Sequence, residues 1–238
     1  MSLVALIDHA VLHPLHAEGD VREACALCRE LGAASVCVKP SMVALAAECL
    51  AGSSVVASTV IGFPHGGTAS AVKVRETELA VESGAREVDV VVNLGWAVEE
   101  QWDRLAAELA AVTRAAAAGN ALVKAILETG LLADDATKIR LCALSEAAGA
   151  AFVKTSTGFG YATGADGTLR ATGATPHDVA LLRAHCGPTV GVKASGGIRT
   201  YEDARRLVDL GASRLGTSAT RAIADGERGL AARGEASY

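Results

Sequence analysis

Ala151-Phe152-Val153-Lys154-Thr155-Ser156-Thr157-Gly158 is a short apolar run that ends in small polar residues. That is the pattern of a buried strand passing into a loop, not of a helix. A lysine stands inside it. Burying an ammonium is costly unless it is paired or gives up its proton. The chain has six lysines, Lys39, Lys73, Lys124, Lys138, Lys154 and Lys193, and its other 16 basic residues are arginines. Three of the six fall in apolar runs: Leu122-Val123-Lys124-Ala125-Ile126, Phe152-Val153-Lys154 and Val190-Gly191-Val192-Lys193. Arginine keeps its proton in a protein, whereas a desolvated lysine can lose it. Lysine at three strand-like sites of an arginine-rich chain therefore points to amine chemistry. The plainer alternative is three lysines snorkelling out of strand ends.

The pattern of that stretch recurs along the chain. Strands are predicted at 3–8, 34–38, 54–61, 87–92, 121–127, within the Lys154 stretch, at 189–194 and at 214–217. Helices are predicted between them at 19–31, 40–50, 69–82, 99–118, 134–148, 175–186 and 200–210, with a last one opening at 218–223. Gly32, Gly84, Gly119, Gly149 and Gly211 mark helix ends, and Pro176 suits a first helical turn. A loop rich in Gly and Thr is expected at 158–173. The strands read as β-branched runs with little alternation, as when both faces are covered. Eight βα units in 238 residues predict a (β/α)8 barrel forming one domain over 1–238, with 226–238 as a mobile tail. A doubly wound open sheet is the rival, but it would want a Gly-rich dinucleotide loop after an early strand, and none is visible.

Composition narrows the partners. Net charge is −5 and no block of Lys and Arg occurs, which argues against nucleic acid or an anionic membrane surface. The N-terminus has no signal-peptide pattern and no apolar run is long enough to span a bilayer, so a cytoplasmic protein is expected. Cys25, Cys28, Cys37, Cys49, Cys142 and Cys186 do not read as a disulfide framework. Cys25-Ala26-Leu27-Cys28 has redox or zinc spacing but lies in a predicted helix with no second pair, and is read as buried thiols. No histidine cluster calls for a metal.

In such a barrel the active site lies at the C-terminal ends of the strands. Lys124, Lys154 and Lys193 each share a strand face with Leu122, Phe152 and Gly191, as Asp89 does with Glu87 and Val91. If those faces point inward, Asp89 and three lysines converge. An ordinary lysine has a pKa near 10.4, leaving about one neutral amine in a few thousand at pH 7. Lowering it by about three units costs the ammonium roughly 4 kcal/mol. Burial and a second ammonium can supply that. Asp89 would handle protons, or serve only as a partner of Lys124. Ser195-Gly196-Gly197 and Gly216-Thr217-Ser218 follow the seventh and eighth predicted strands, where phosphate is often bound by backbone N–H groups.

These residues carry a family resemblance. Ile7-Asp8-His9, Val36-Cys37-Val38, Gly62-Phe63-Pro64-His65-Gly66, Glu87-Val88-Asp89-Val90-Val91, Ile126-Leu127-Glu128-Thr129-Gly130, the Lys154 stretch, Gly191-Val192-Lys193, Gly196-Gly197-Ile198-Arg199 and Ser237-Tyr238 run in order over nearly the whole chain, which resembles the deoxyribose-phosphate aldolases, a class I family. The resemblance implies a TIM barrel that cleaves 2-deoxy-D-ribose 5-phosphate reversibly to glyceraldehyde 3-phosphate and acetaldehyde, in deoxyribose phosphate breakdown. It implies no cofactor beyond the covalent lysine Schiff base, and a homodimer. It makes Lys154 the Schiff-base lysine, Lys193 the lysine that depresses its pKa, Asp89 the proton relay and Lys124 the lysine beside it. It makes Asp8 a substrate-site aspartate and Tyr238 a proton donor on a mobile tail. Gly158, Gly196, Gly197 and Ser218 match phosphate-loop positions. Ala10 departs from a usual threonine, Phe159 from a lysine of some members, and Ala219 from a frequent serine. The loop at 161–171 is longer than the pattern leads one to expect.

Overall fold

The computed structural model describes residues 2–164 and 166–230. The barrel strands are β1 (Ile7–Val11), β2 (Ser35–Val38), β3 (Val56–Ile61), β4 (Glu87–Val91), β5 (Leu122–Ile126), β6 (Phe152–Lys154), β9 (Gly191–Ser195) and β10 (Arg214–Thr217). They close in the order β1-β10-β9-β6-β5-β4-β3-β2, every pairing parallel. Around them run α1 (Glu18–Leu31), α2 (Val43–Leu50), α3 (Ser70–Glu82), α4 (Leu94–Val98), α5 (Trp102–Ala118), α6 (Asp135–Ala147), α7 (Pro176–His185), α8 (Tyr201–Asp209) and α9 (Thr220–Glu227). The (β/α)8 barrel expected from the strand count is the fold observed.

The apolar core is the layer between the barrel wall and the helices. Ile7, Val36, Val88, Val90, Val123, Val153, Val192 and Leu215 belong to it. Their strand neighbours Asp8, Ser35, Asp89, Lys124, Lys154 and Lys193 are just as buried, but on the opposite, inward face. Both faces are covered, as expected, yet the strands alternate: apolar outward, polar or charged inward. An interior filled by charges is stable only if they compensate one another.

Four local readings need correction. The first strand is β1, starting at Ile7, because Val4–Leu6 make a 3₁₀ turn. Asp8, last residue of the predicted strand, is only the second residue of β1, which runs on through buried His9 to Val11. Residues 94–98 form α4, capped by Asn93 Oδ1, which accepts from Trp96 N at 3.2 Å. The chain then turns through Glu100 at φ 56 before α5. The loop at 158–173 carries an antiparallel hairpin, β7 (Tyr161–Thr163) and β8 (Leu169–Ala171). Finally, α9 reaches Glu227, whose carboxylate accepts from Ser2 Oγ at 2.5 Å and Leu3 N at 2.8 Å, so residues 226 and 227 are helix and not tail. Residues 231–238 lie outside the described residues.

Candidate active site

Strand register sets the inward side chains in two adjacent rows, whose long side chains reach one another. Asp89 on β4 pairs with Lys124 on β5, while Lys154 on β6 lies between Ile126 and Lys193, and Lys193 pairs with Arg214. The result is one buried ionic lattice. Lys154 Nζ donates to Asp89 Oδ2 at 2.8 Å. Lys193 Nζ donates to the same oxygen at 2.7 Å and to Asp8 Oδ2 at 2.5 Å. Lys124 Nζ donates to Asp89 Oδ1 at 2.8 Å and lies 2.6 Å from Glu87 Oε2 and 3.2 Å from Asp8 Oδ2. Below them Arg214 donates to Asp8 Oδ1 at 2.6 Å and Glu87 Oε2 at 2.8 Å, and lies over the Phe152 ring. Ser35 Oγ donates to Asp8 Oδ1 at 2.7 Å.

Four cations, Lys124, Lys154, Lys193 and Arg214, thus meet three carboxylates, Asp8, Glu87 and Asp89. Fully protonated, the lattice carries one uncompensated buried charge, which a protein interior does not tolerate cheaply. Lys154 is the cation with the weakest compensation: one carboxylate oxygen, shared with Lys193. Burial pushes its pKa down, Asp89 opposes, and the Lys193 ammonium pushes it further down; the outcome is below the ordinary lysine value. Burial acts the same way on Lys124 and Lys193, but there the carboxylates win. Asp8, Asp89 and Glu87 hold Lys124 well above the ordinary value, and Asp8 and Asp89 raise Lys193. Burial alone would raise Asp89, yet Lys124, Lys154 and Lys193 hold it well below the usual carboxylate range. One lysine of the lattice is therefore set apart as the amine most ready to lose its proton.

The loops above β6 and β9 meet beside this lattice. Gly158, Gly196 and Gly197 all have positive φ, at 83°, 90° and 80°. A Cβ on Gly196 would lie 2.8 Å from Gly173 Cα and 3.6 Å from Gly158 Cα, so the backbones touch where only glycine fits. Ser218 is exposed at the end of β10, before α9. Of the residues singled out in the sequence, Asp89, Lys124, Lys154, Lys193 and Asp8 form one lattice, and Gly158 and Gly196 come together. Asp8 is engaged through both oxygens by Ser35, Arg214 and the lysines. Tyr238 lies outside the described residues. Cys37, fully buried, has its thiol pushed up by burial and by Asp89.

Sequence reading passed over Arg214 and Glu87 as site residues. The signal was there: Glu87 shares Asp89's face two residues away, and Arg214 opens a buried strand. It also passed over Gly216, where a Cβ would lie 2.6 Å from Ser195 Cβ and 3.1 Å from Lys193 Cε, so a glycine there leaves room for the lysine stem.

The family model described as DeoC/LacD family aldolase matches residues 2–231. The chain belongs to the DeoC/LacD aldolase family. Among its relatives, the deoxyribose-phosphate aldolase of Listeria innocua is 45% identical over 228 residues, 96% of this chain and 97% of the relative. That of Streptococcus suis is 48% identical over 226 residues, 95% and 97% of the two chains. Among solved structures, the tetrameric deoxyribose phosphate aldolase of Aeropyrum pernix superposes with a TM-score of 0.85 at 32% identity, covering 95% of this chain and 91% of its own. Membership of this aldolase family gives the lattice a chemistry to serve, since a class I aldolase needs one neutral lysine in a closed site.

Proposed function

We propose that this aldolase cleaves 2-deoxy-D-ribose 5-phosphate reversibly to D-glyceraldehyde 3-phosphate and acetaldehyde through a Schiff base on Lys154. The observation that carries the reading is the one amine of the lattice, Lys154 sharing a single Asp89 oxygen with Lys193, whose pKa falls while those of Lys124 and Lys193 rise. The neutral amine adds to C1 of the open-chain sugar, and loss of water leaves an iminium. The C3 hydroxyl gives its proton to a water held by Asp89 and Lys193. The C2–C3 bond then breaks, and its electron pair moves into the enamine. A proton returns to C2, the step the resemblance gives to Tyr238, and water releases acetaldehyde from Lys154. Lys124 and Asp8 keep Asp89 and Lys193 charged and in place. The phosphate is read by backbone N–H groups at Gly158, Gly196 and Gly197 and by Ser218, a set supported by the close approach of Gly158 and Gly196. The iminium is itself the electron sink, so the scheme calls on no metal or organic cofactor.

Borohydride added with deoxyribose 5-phosphate should reduce the iminium to a stable adduct on Lys154, found by mass spectrometry. Lys154→Ala should abolish both adduct and turnover; turnover that survives the substitution would sink the scheme. We further propose a homodimer; the tetramer of the Aeropyrum relative supports self-association but not two copies. Light scattering at assay concentration should give twice the 24.1 kDa chain mass, and a one-copy mass would overturn this. Its six free thiols suit the reducing cytoplasm, the compartment proposed for it.

A further inference from the structure

Cys25 lies in the middle of α1, and its thiol shares a hydrogen bond with that of Cys49 in the last turn of α2. The spacing of Cys25-Ala26-Leu27-Cys28 pointed along α1, but the thiol partner stands across the interface between two helices. A surface groove of 460 Å³ opens onto the pair, lined by Arg22, Cys25, Ala26, Arg29 and Cys49. Arg22, Cys25, Ala26 and Arg29 fall at the i, i+3, i+4 and i+7 positions of one helix face. Arg22 Nη1 donates to Cys49 Sγ at 3.7 Å. Arg29 Nη1 donates to Cys49 O at 2.9 Å and Ala51 O at 3.0 Å, which pins the end of α2 beside α1. The two sulfurs differ in access. Cys25 is 1% exposed, whereas Cys49 is half-buried. Burial, and then Cys49, pushes the Cys25 thiol up to about 12, with Arg29 opposing.

Reactive thiols are partly exposed and face positive charge, whereas buried thiols without such a partner are inert. Cys49 meets both conditions, and a second sulfur stands against it. We propose that Cys49 and Cys25 form a dithiol that a peroxide oxidises to a reversible disulfide, Cys49 reacting first and Cys25 resolving. The Cys49 sulfur, as thiolate, attacks one peroxide oxygen, and its negative charge faces the Arg22 guanidinium. An S–O bond forms and the O–O bond breaks. The second oxygen leaves as hydroxide and takes the Cys49 proton, giving water. The Cys25 sulfur then displaces the hydroxyl from Cys49, an S–S bond forms, and the Cys25 proton leaves with that hydroxyl as a second water. The two sulfurs together lose two electrons, which the peroxide gains. The link ties α1 to α2 and stops Cys49 at a stage that thiols reverse, short of the sulfinic acid that they do not. Cys142 and Cys186 also share a hydrogen bond, between α6 and the end of α7. Both belong to the buried core and neither lines the groove, so they offer proximity without access.

The test treats the reduced full-length protein, folded, with one equivalent of hydrogen peroxide. Remaining thiols are blocked and a non-reducing digest is read by mass spectrometry. The expected product joins Cys25 to Cys49, disappears with dithiothreitol, and is absent from Cys49→Ser. In Cys25→Ala the Cys49 sulfenic acid has no resolving thiol, so dimedone should label Cys49 about tenfold more there than in the unsubstituted protein. Cys49 is reached by solvent, so Cys49→Ser tests the link even where Cys25→Ala fails to fold. Arg22→Gln should slow formation of the link by about tenfold, and an unchanged rate would overturn the part given to the guanidinium. A link between Cys142 and Cys186 that forms first, a link between Cys25 and Cys28, or Cys49 recovered as a free thiol would overturn the proposal.

Discussion

Lys154 and Lys193 are neighbours with opposite fates, and the difference lies in which carboxylates each one reaches. Lys193 bonds Asp8 and Asp89, whereas Lys154 has only a share of Asp89. Removing Lys193's charge reverses the balance: three carboxylates then face three cations, and Lys154 keeps its proton. Lys193→Met should therefore move Lys154 back toward the ordinary value near 10.4, leaving about one neutral amine in a few thousand at pH 7. We expect kcat/KM at pH 7 to fall by about a hundredfold or more and to recover about tenfold for each pH unit above it. A uniformly low profile from pH 7 to 10 would count against this account. Burial by itself does not mark a nucleophile. Lys73 is as buried as Lys124, and burial lowers its pKa too, with Glu108 opposing. It stands in a helix, and its amine is held by Glu108 Oε1 at 2.7 Å and Val91 O at 2.8 Å.

That pair belongs to the scale of elements, because it ties α3 to α5 and to the end of β4. Ser70 Oγ donates to the other Glu108 oxygen at 2.7 Å, so the carboxylate is fully used. Glu108→Leu would strand the Lys73 amine in an apolar layer. Breaking one half of a buried pair costs about 3–5 kcal/mol, whereas replacing both halves is often near neutral. Urea unfolding should show such a loss for Glu108→Leu and recovery of most of it in Lys73→Met/Glu108→Leu; a double variant as unstable as the single one would argue that packing and not charge is at stake. Most elements were legible from local chemistry. Asp134, Thr175 and Thr200 each accept from the backbone N–H three residues on, as N-caps do, and Pro176 sits in the first turn of α7. The hairpin β7–β8 was not legible, because strands of three residues each, Tyr161–Thr163 and Leu169–Ala171, are too short to show a period. The end of β1 was placed at Asp8 because a carboxylate looks like a strand-end residue until Ser35, Arg214 and the lysines meet it across the barrel.

For the whole molecule, acid stability follows from the same burial. Burial, with help from His16, lowers the His9 pKa from 6.5 to about 4, and Nδ1 meets Thr220 Oγ1 at 2.8 Å. In the unfolded chain the imidazole takes a proton below its ordinary value; in the fold it does so only near pH 4. The unfolded state therefore binds more protons between these values, and stability falls as pH drops through that window, by about 3 kcal/mol in all. Burial would raise Asp8 as well, but Lys124, Lys193 and Arg214 depress it, and Asp89 is depressed likewise. Their contribution is intact above the ordinary carboxylate value and is lost only at lower pH, so it leaves the His9 window undisturbed. Denaturation midpoints measured from pH 7 to 4 should slope downward, and His9→Gln should flatten that slope; an unchanged slope would place the effect elsewhere.

Period and punctuation in the chain already determined eight strand–helix units, the closed barrel they imply, and the shared parity of Asp89, Lys124, Lys154 and Lys193. These are properties of neighbours in sequence, set by two-residue alternation, helix caps and glycine stops. The family motifs pointed to Lys154 as the Schiff-base lysine proposed here. Which amine is left without compensation was decided only by closure of the barrel. That outcome depends on Asp8, Glu87 and Arg214, which come from distant parts of the chain, and buried charges sum over space and not along the backbone.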